Sequence, residues 1–389
     1  MRFIISLFLL HFISLQTVFS QTIPKLGNDT LLDIACWNVE WFGDVNNGPT
    51  DEALQYNNIK AMMLQTDFDI LGMEEISNMT TYNNLSFETA IAAKYDTYIS
   101  TFSATQKMGL FWKKSMFDVI GPATLNILTN EYSNFATRPP LQVCLKTKGG
   151  TKVDTLYVIV IHMKANTGND AAKYESYTRR QAAAAALKTY TEQTMLNKKF
   201  VIIGDWNDDL SVSIYNALPT PYQSTLSAGY TFPSKELTDA GKKSYAFGGA
   251  MIDHIMQSKT LDSFYLKGSA KVFDLAGNYI SNFSNNTSDH YPVYASYNWS
   301  KLTTYVAPAG MSEIKHNLNI QVYPNPAMGI VNMISDNPIT EAYLYDINGK
   351  IMLHINEKTF DVSSMQAGFY QLLVVTPNGN KMFKLIVGK

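Results

Sequence analysis

Cysteine is scarce in this chain, since only Cys36 and Cys144 occur among 389 residues. Two cysteines are too few for the disulfide framework that stabilises many small secreted domains. Each lies in an apolar run with the composition of a β-strand, where a thiol behaves as a small apolar group. We therefore favour two free thiols over a single bridge, and the pairing of Cys36 with Cys144 stays open at this stage.

Positive charge is not in excess either. The 31 lysines and arginines are outnumbered by 33 acidic residues, which leaves a net charge of -2. The sequence has no lysine- and arginine-rich run of the kind that holds nucleic acid by releasing counterions. This composition excludes an extended basic surface, so an anionic substrate would be held locally by a few side chains.

Long apolar runs are absent after the first 20 residues, so we expect a soluble protein without stable membrane insertion. The start has the pattern of an export signal. Arg2 precedes an apolar run at residues 3–15, and Val18, Phe19 and Ser20 resemble a cleavage site. We interpret residues 1–20 as a signal peptide and the protein as secreted, either extracellular or at the cell surface.

The length of the chain predicts two domains. A change in composition places a larger, catalytic domain at residues 21–302 and a linker with Pro308 and Gly310 at residues 303–315. Residues 316–389 contain short alternating apolar runs separated by Asn, Gly and Pro turns, which predicts an all-β sandwich module.

One stretch, at residues 201–209, is typical of a strand that delivers a functional site. Its apolar run stops at Gly204, and Asp205 and Asn207 follow at once. A carboxylate and a carboxamide in this position can both face a phosphate or a metal ion. Taken alone, a structural Asp/Asn turn explains the stretch equally well.

Five other predicted strands end in the same way, with side chains that can bind a metal ion or a phosphate. These side chains are Asn38 and Glu40, Glu75, His162 and Lys164, Asp253, and Asp289 with His290. Carboxylates bind hard divalent ions, a His–Asp pair activates water, and amide or imidazole donors stabilise charge at phosphorus. The recurrence predicts metal-assisted hydrolysis of a phosphoester, although each element has a structural explanation by itself.

The segments between these strands give further expectations. Residues 51–64 and the alanine-rich residues 170–194 have the pattern of helices, and we interpret Arg179 and Arg180 as solvated, with substrate contact as the alternative. Residues 211–232, rich in tyrosine and proline, are expected to form a surface loop beside the site. Arg138 is either a surface charge or a member of the polar cluster.

These motifs together resemble the endonuclease/exonuclease/phosphatase superfamily with its DNase I-like fold. The matching segments, in the order of the family, are Trp37-Asn38-Val39-Glu40, DILGMEE ending at Glu75, Ile161-His162-Met163-Lys164, GDWND around Asp205 and Asn207, Ile252-Asp253-His254-Ile255, and SDHYPV around Asp289 and His290. The resemblance implies an α/β fold, a four-layered α/β sandwich with the site where two sheets meet.

The resemblance also implies roles. Glu75 would be the principal ligand of Mg²⁺ (or Mn²⁺), with Asn38 and Glu40 beside it and Asp289 completing the metal site. His290 would be the general base, oriented by Asp253, and Asp205 would transfer a proton or position water. Asn207 and His162 would bind the scissile phosphate, and Asn38, Lys164 and Arg138 would contact the substrate.

Two departures from the family pattern bear on these roles. Glu74 stands where the family often has glutamine, which affects hydrogen bonding or metal preference. No glutamate lies between Tyr98 and Phe111 to pair with His162, which favours a neutral phosphate-binding His162 over a general acid.

The C-terminal module carries a second resemblance. Tyr323-Pro324-Asn325-Pro326-Ala327, the DINGK segment ending at Lys350, the GFYQL segment ending at Leu372 and the terminal KLIV run resemble the sorting domain of type IX secretion. This implies export by the type IX machinery across a Gram-negative outer membrane, with removal of the module on the way as an option.

We interpret the whole chain as a secreted, monomeric, metal-dependent phosphodiesterase that acts on nucleic acid. The first choice of function is an extracellular endonuclease that hydrolyses DNA, with RNA as a further substrate. One alternative is a sphingomyelinase-like or inositol-lipid phosphoesterase, for which exposed aromatic residues at 215–230 would insert into a bilayer. A second alternative is a non-catalytic surface adhesin on a hydrolase scaffold, which the complete set of competent residues opposes.

Overall fold

The computed structural model describes residues 22–148, 153–299, 319–347, 349–377 and 379–388. The predicted signal peptide at residues 1–20 and the predicted linker at residues 303–315 lie outside the described residues. Residues up to 299 form mixed sheets with helices, and residues from 319 onwards form β-strands.

The strands before residue 299 belong to two sheets. In chain order they are β1 (Leu32–Phe42), β2 (Ile70–Ile76), β3 (Tyr95–Ile99), β4 (Lys107–Lys113), β5 (Phe117–Asn126), β6 (Leu141–Thr147), β7 (Thr155–His162), β8 (Phe200–Asp205), β9 (Asp253–Gln257), β10 (Lys271–Val272) and β11 (Val293–Tyr297). The first sheet has the order β10-β11-β1-β2-β4-β3, and the second has the order β5-β6-β7-β8-β9. Only the pairs β1–β2 and β7–β8 are parallel within these two sheets.

The long helices cover the outer faces of the two sheets, and a short helix packs on the central core through Leu237. The helices are α1 (Glu52–Thr66), α2 (Met79–Phe87), α3 (Thr89–Lys94), α4 (Asp170–Gln193), α5 (Gln223–Ser227), α6 (Lys235–Asp239) and α7 (Phe283–Asn286). Helix α1 begins where Asp51 caps the backbone N–H of Leu54, and α4 begins where Asn169 caps that of Ala172. The two long predicted helices are therefore present with nearly the expected bounds.

Three apolar cores join these elements into four layers. The central core lies between the sheets and contains Ile34, Val160 and Ile203. A second core packs α1 and α2 on the first sheet, and a third packs the alanine-rich face of α4 on the second sheet. The four-layered α/β sandwich predicted from the sequence is confirmed.

The register of the strands explains why the polar strand ends meet. His162 at the end of β7 pairs with Asp205 at the end of β8, and Asp205 pairs in turn with Asp253 at the start of β9. In the other sheet, Asn38 of β1 pairs with Glu74 of β2, next to Glu75. Because parallel strands bring their carboxyl ends to the same edge, each sheet presents its polar side chains at one end.

The C-terminal part is a sandwich of two antiparallel sheets. Its strands are β12 (Ile320–Tyr323), β13 (Ile330–Ser335), β14 (Glu341–Tyr345), β15 (Ile351–Ile355), β16 (Thr359–Asp361), β17 (Gly368–Thr376) and β18 (Gly379–Val387). Their orders are β12-β13-β16 and β15-β14-β17-β18. The all-β expectation is confirmed, whereas β15 and β16 are short strands that the sequence pattern did not predict.

The larger sheet of this module is apolar on both faces. Leu344, Leu372 and Val374 point into the module's own core. The alternate residues Tyr345 and Leu373 point the other way and join the central core of the α/β part. Since successive residues of a strand face opposite sides, this alternation makes the outer face of the module a docking face.

Polar contacts surround this docking face. The side chain of Gln371 donates to Asn83 Oδ1 over 3.4 Å. The ammonium group of Lys384 lies 4.9 Å from the ring centre of Phe87 and 4.1 Å from that of Phe369. The module therefore packs against the α/β part and is not merely tethered to it.

We expect Leu373→Glu to separate the two parts, because it places a charge in an apolar contact that buries 99% of the wild-type residue (1% exposed). With a protease site inserted within residues 303–315, the cleaved wild-type halves should co-elute in size-exclusion chromatography and the cleaved variant should not. Ile330→Glu, at a position that is 63% exposed on the other sheet, is the matched control and should co-elute. Separation of the wild-type halves would contradict the docked arrangement.

Candidate active site

The backbone leaves regular strand geometry where the site begins. The register between β1 and β2 shifts between Asn38 and Phe42, and Glu40, Trp41 and Glu75 have φ values of 46°, 49° and 63°. Non-glycine residues rarely adopt this left-handed region, and such strain clusters at functional sites. Glu40 therefore reaches the site through an irregular strand end, and the simple alternation expected from the sequence stops at Asn38.

Asn38 joins the two sheets at the centre of the site. Its carboxamide nitrogen donates to Glu75 Oε1 over 3.1 Å and to Asp205 Oδ2 over 3.0 Å. Its oxygen accepts the backbone N–H of Glu40 over 3.0 Å. With both donor and acceptor engaged, Asn38 holds two carboxylates from different sheets in one geometry.

Glu75, His162 and Asp205 form a compact cluster of possible metal ligands. His162 Nε2 lies 3.6 Å from Glu75 Oε1 and 3.4 Å from Asp205 Oδ2. One ligand atom from each of the three residues lies within 4.8 Å of the others. Burial, together with the positive charges of Arg138 and His290, lowers the pKa of His162 well below its usual value, so its imidazole is neutral near pH 7.

Glu40 and Asp289 lie next to this cluster. The backbone N–H of Asp289 donates to Glu40 Oε2 over 2.9 Å. Burial and then the Asp289 carboxylate raise the pKa of Glu40 to about 7. Burial also raises the pKa of Asp289. Such shifts are expected where carboxylates are crowded without a compensating cation.

His290 is oriented by Asp253. His290 Nδ1 lies 2.8 Å from Asp253 Oδ2, so the opposite ring nitrogen faces the acidic cluster. Nε2 lies 4.0 Å from Asp205 Oδ2 and 3.8 Å from Asp289 Oδ1. Burial opposes protonation of the imidazole, but the carboxylates of Asp253 and its neighbours outweigh burial and raise the pKa of His290 well above its usual value.

Asp205 and Asn207 form one hydrogen-bonded unit. The backbone N–H of Asn207 donates to Asp205 Oδ1 over 2.8 Å, and its carboxamide donates to Asp205 Oδ2 over 2.9 Å. Asn207 reaches this position with a φ of 55°. Burial raises the pKa of Asp205 to about 7, with the Asp253 and Glu75 carboxylates adding to the effect and His290 opposing it.

Arg138 and Lys164 lie beside the cluster and not within it. The guanidinium of Arg138 is buried, contacts Gln106 Oε1 and donates to the Met163 carbonyl over 2.9 Å. Arg138 and Lys164 line one cavity with Glu75 and His162. Arg138 is thus buried beside the acidic cluster and is not a surface charge, which was the other possibility that the sequence left open.

Arg180 lies in the interior of the protein and not at its surface. It is fully buried, and two of its nitrogens lie 3.1 and 2.9 Å from Asp208 Oδ2. The prediction of a solvated Arg180 was wrong because its face of α4 packs on the sheet, where Asp208 offsets the buried charge.

The segment at residues 211–232 is largely irregular and lies at the surface, as expected, but several of its aromatic side chains are buried. Tyr215, Tyr222 and Phe232 are buried, and Tyr222 packs on Trp206 with ring centres 4.9 Å apart. These aromatic side chains stabilise the core beneath the site.

Glu74 and His254 lie outside the reaction centre. Glu74 is fully buried between the sheets, and a Cβ at Gly204 would lie 3.0 Å from its Oε1. His254 is buried between Ser234 and the Asp208 carbonyl. Glu74 is therefore a packing residue below the site, and Glu75 alone presents its carboxylate to the cluster.

The two thiols are free, as the sequence favoured. Cys36 is buried below the site, where its Sγ lies 3.9 Å from the carbonyl oxygens of Gly204 and His254. Cys144 is half-buried on β6.

Several supporting contacts were not predicted. The Ser288 hydroxyl donates to the Asn38 carbonyl over 2.6 Å and accepts the N–H of His290 over 3.0 Å. The indole of Trp37 donates to the His290 carbonyl over 3.0 Å. The N–H of Trp41 donates to Glu75 Oε2 over 3.0 Å. The serine before Asp289 was the only one of these with a signal in the sequence, as a turn former.

The sequence matches the models of two known families. A family described as the endonuclease/exonuclease/phosphatase family matches residues 35–290, and a secretion system C-terminal sorting domain matches residues 321–388. The chain therefore belongs to the endonuclease/exonuclease/phosphatase family and ends in a type IX secretion sorting domain. No curated protein matches the sequence.

Three solved structures illustrate the similarity. A Danio rerio TDP2 humanised by 14 mutations is 14% identical, with a TM-score of 0.49, and the match covers 69% of this chain and 99% of that one. The human nocturnin catalytic domain is 14% identical, with a TM-score of 0.46 and coverage of 69% and 94%. A family protein from Bacteroides thetaiotaomicron is 18% identical, with a TM-score of 0.45 and coverage of 69% and 98%.

Family membership makes this chain a hydrolase of the phosphoesterase and nuclease type. The family is typically dependent on divalent metals, and the carboxylate oxygens of Glu75 and Asp205, beside His162, form a possible site for such an ion. In the part of the chain that the structure describes, no helix combines the length and apolarity needed to cross a membrane.

We expect Glu75→Gln to weaken Mg²⁺ binding by roughly 100-fold, because it removes a carboxylate ligand while keeping the size of the side chain. Isothermal titration calorimetry on the metal-free protein measures this directly. Glu131→Gln is the control for loss of one negative charge elsewhere and should bind like wild type. Equal affinity of Glu75→Gln and wild type would remove Glu75 from the metal site.

Proposed function

We propose that this protein is a secreted, monomeric, Mg²⁺-dependent phosphodiesterase that hydrolyses nucleic acid, most simply an extracellular DNA endonuclease. The observation that carries the proposal is the convergence of the His290–Asp253 pair with Asn38, Asp205, Asn207 and His162 around one acidic cluster. Hydrolysis of a phosphodiester needs a base, charge stabilisation and orientation, and this arrangement supplies groups for each.

The carboxylates fit a hard divalent ion better than a soft one. Glu40, Glu75, Asp205 and Asp289 offer oxygen ligands, and burial, with neighbouring carboxylates adding to it, raises the pKa of Glu40 and of Asp205 to about 7. Glu75 and Asp289 would hold the ion, with Glu40 and Asn38 beside it. Bound Mg²⁺, or Mn²⁺ in its place, supplies Lewis-acid polarisation of a phosphoryl oxygen.

The protein groups divide the remaining work. His290 Nε2 accepts the proton of the attacking water, while Asp253 fixes the ring through Nδ1 at 2.8 Å. Asp205, hydrogen-bonded to Asn38 and Asn207, orients the water or passes a proton to the leaving oxygen. The neutral His162 imidazole donates to an oxygen of the scissile phosphate. The Asn207 carboxamide, which donates to the Met163 carbonyl over 3.2 Å and to Asp205 over 2.9 Å in this structure, would exchange one of these bonds for a phosphate oxygen.

Nucleic acid is favoured over lipid by the placement of the aromatic residues. The aromatic loop on which the lipid alternative depended has Tyr215 and Tyr222 buried, so these rings do not project into a bilayer. Near the catalytic imidazole, the Tyr245 ring lies 5.2 Å from that of His290 and 6.2 Å from that of the exposed Phe247. An aromatic surface in this position suits stacking with a nucleobase.

The sorting domain and the N-terminal export pattern support secretion by the type IX machinery, to the extracellular space or the cell surface. Free DNA is an abundant extracellular phosphodiester. A turnover enzyme does not require the extended basic surface that the composition excludes.

We expect residues 22–389 to nick plasmid DNA with Mg²⁺ and to lose this activity in EDTA. Plasmid DNA, RNA and sphingomyelin liposomes are to be tested in parallel by gel electrophoresis and phosphocholine release. Release of phosphocholine with intact plasmid would move the protein to the lipid alternative. Absence of hydrolysis of all three would favour the non-catalytic adhesin.

We expect Asp253→Asn to lower kcat and to shift the acidic limb of the pH profile of kcat/KM to lower pH. The Asp253 carboxylate stabilises the imidazolium form of His290, so the neutral amide lowers the pKa of His290 and lets the base lose its proton at lower pH. His290→Ala should abolish that limb and lower kcat by orders of magnitude with little change in Tm. A limb that stays in place in Asp253→Asn would remove His290 as the titrating base.

A further inference from the structure

A cavity of about 460 Å³ opens directly beside the acidic cluster. Its wall shares Glu75 and His162 with the reaction centre and adds Trp41, Arg138, Lys164 and Arg179. This volume lies in the range of pockets that hold small ligands. Because two of its lining residues also form the reaction centre, a substrate group bound in the cavity would lie next to the scissile phosphate.

The cavity has a positive charge that the chain as a whole lacks. Arg138, Lys164 and Arg179 line it, whereas Glu75 is the only acidic residue among the described lining residues and is directed to the metal site. The net charge of the chain is -2. A local concentration of three cations in a chain of slightly negative charge indicates an anionic ligand.

Two of these cations, Arg138 and Lys164, lack the carboxylate partners that buried or crowded charges usually have. Arg138 is 9% exposed, its two terminal nitrogens contact Gln106 and the Met163 carbonyl, and its buried Nε has no partner within the described structure. Lys164 Nζ donates to the Ala165 carbonyl over 3.2 Å. Neither forms a salt bridge with a carboxylate within the described residues, so an incoming anion would supply the missing charge.

Arg179 and its neighbour Arg180 differ in how firmly a carboxylate pairs with them. Arg180 is paired with Asp208 and donates to the Lys164 carbonyl over 2.8 Å, which fixes the backbone that carries Lys164. Arg179 is half-buried, contacts the Ser133 carbonyl and lies 3.6 Å from Glu175 Oε1, a carboxylate that is 68% exposed. Two adjacent arginines thus have different tasks, one structural and one facing the cavity.

Trp41 completes the wall. Its backbone is fixed by the hydrogen bond to Glu75 Oε2, and its half-buried side chain lines the cavity together with the three cations. Indole rings stack on nucleobases and are tolerant of base identity. The cavity beside the reaction centre therefore offers an aromatic ring and positive charges, the two kinds of group that bind a base and a phosphate of an oligonucleotide.

We propose that the cavity lined by Arg138, Lys164 and Arg179 is a subsite for a second phosphate of the substrate, next to the scissile one. This inference rests on the proposed phosphodiesterase function and adds a preference for substrates that carry two phosphates. The second phosphate is either a terminal phosphomonoester or the next internal phosphodiester, both of which present anionic non-bridging oxygens to the subsite.

The kinetic test compares substrates that differ only in the second phosphate. In Mg²⁺, kcat/KM is measured for TpT, for pTpT with a terminal phosphate and for TpTpT with a second internal phosphate. Lys164→Gln and Arg179→Gln should each lower the preference for a two-phosphate substrate over TpT by about tenfold, the loss of one hydrogen bond to a charged group. Lys188→Gln, which removes a lysine from the same helix as Arg179 but outside the cavity, should keep the wild-type preference.

The substrate for which the variants lose their preference identifies the phosphate that the subsite binds. A lower preference for pTpT alone assigns the subsite to a terminal phosphate, and a lower preference for TpTpT assigns it to an internal one. An equal loss of kcat/KM on all three substrates, or no loss, would overturn the subsite.

A binding measurement keeps this test separate from the proposed function. Fluorescence anisotropy of a labelled oligothymidylate in EDTA follows the subsite without turnover, and each variant should reduce the slope of log Kd against log salt concentration by about one. If none of the substrates is hydrolysed but each variant still reduces the salt slope, the phosphodiesterase function is rejected and the subsite is kept. An unchanged slope in both variants would reject the subsite whatever the activity.

Discussion

The constraint on which this structure depends is the burial of several carboxylates at the junction of two sheets. Glu40, Glu75, Asp205 and Asp289 converge there, and like charges in a region of low dielectric repel one another. Asn38 offsets part of this by donating to Glu75 and Asp205 at once, and the imidazole of His290 offsets another part. The remaining negative charge makes the cluster a possible site for a divalent cation.

The two-sheet scaffold holds this unfavourable arrangement in place. The central core contains fully buried residues such as Ile34, Val160 and Ile203, and their burial supplies the stabilisation that the polar junction lacks. At the strand ends, the left-handed backbone of Glu75 and Asn207 turns each side chain toward the common centre. Strain and like-charge repulsion are thus concentrated at one edge of a sandwich whose interior is apolar.

Charge in the surrounding structure is divided between structural pairs and free cations. Arg180 is neutralised by Asp208 within the fold, whereas Arg138 and Lys164 face the cavity beside the cluster without a carboxylate partner. The C-terminal sorting module adds an apolar contact through Tyr345 and Leu373, far along the chain from the residues they meet. The free cations therefore lie beside the acidic cluster in one cavity, whereas the sorting module packs elsewhere on the α/β part.

The sequence by itself determined where the long helices and the polar strand ends lie, because hydrophobic period and polar strand ends are local properties that persist in the fold. The four layers followed from the family resemblance that the motifs carry. It predicted Asp205, His290 and Asn38, and it predicted the sorting module. Only the tertiary structure decided that Arg180 is buried, that Glu74 points away from the cluster and that Leu373 packs on another part of the chain. These depend on contacts between residues distant in sequence, on irregular backbone at a strand end and on which face of an element is covered, and no local pattern encodes them.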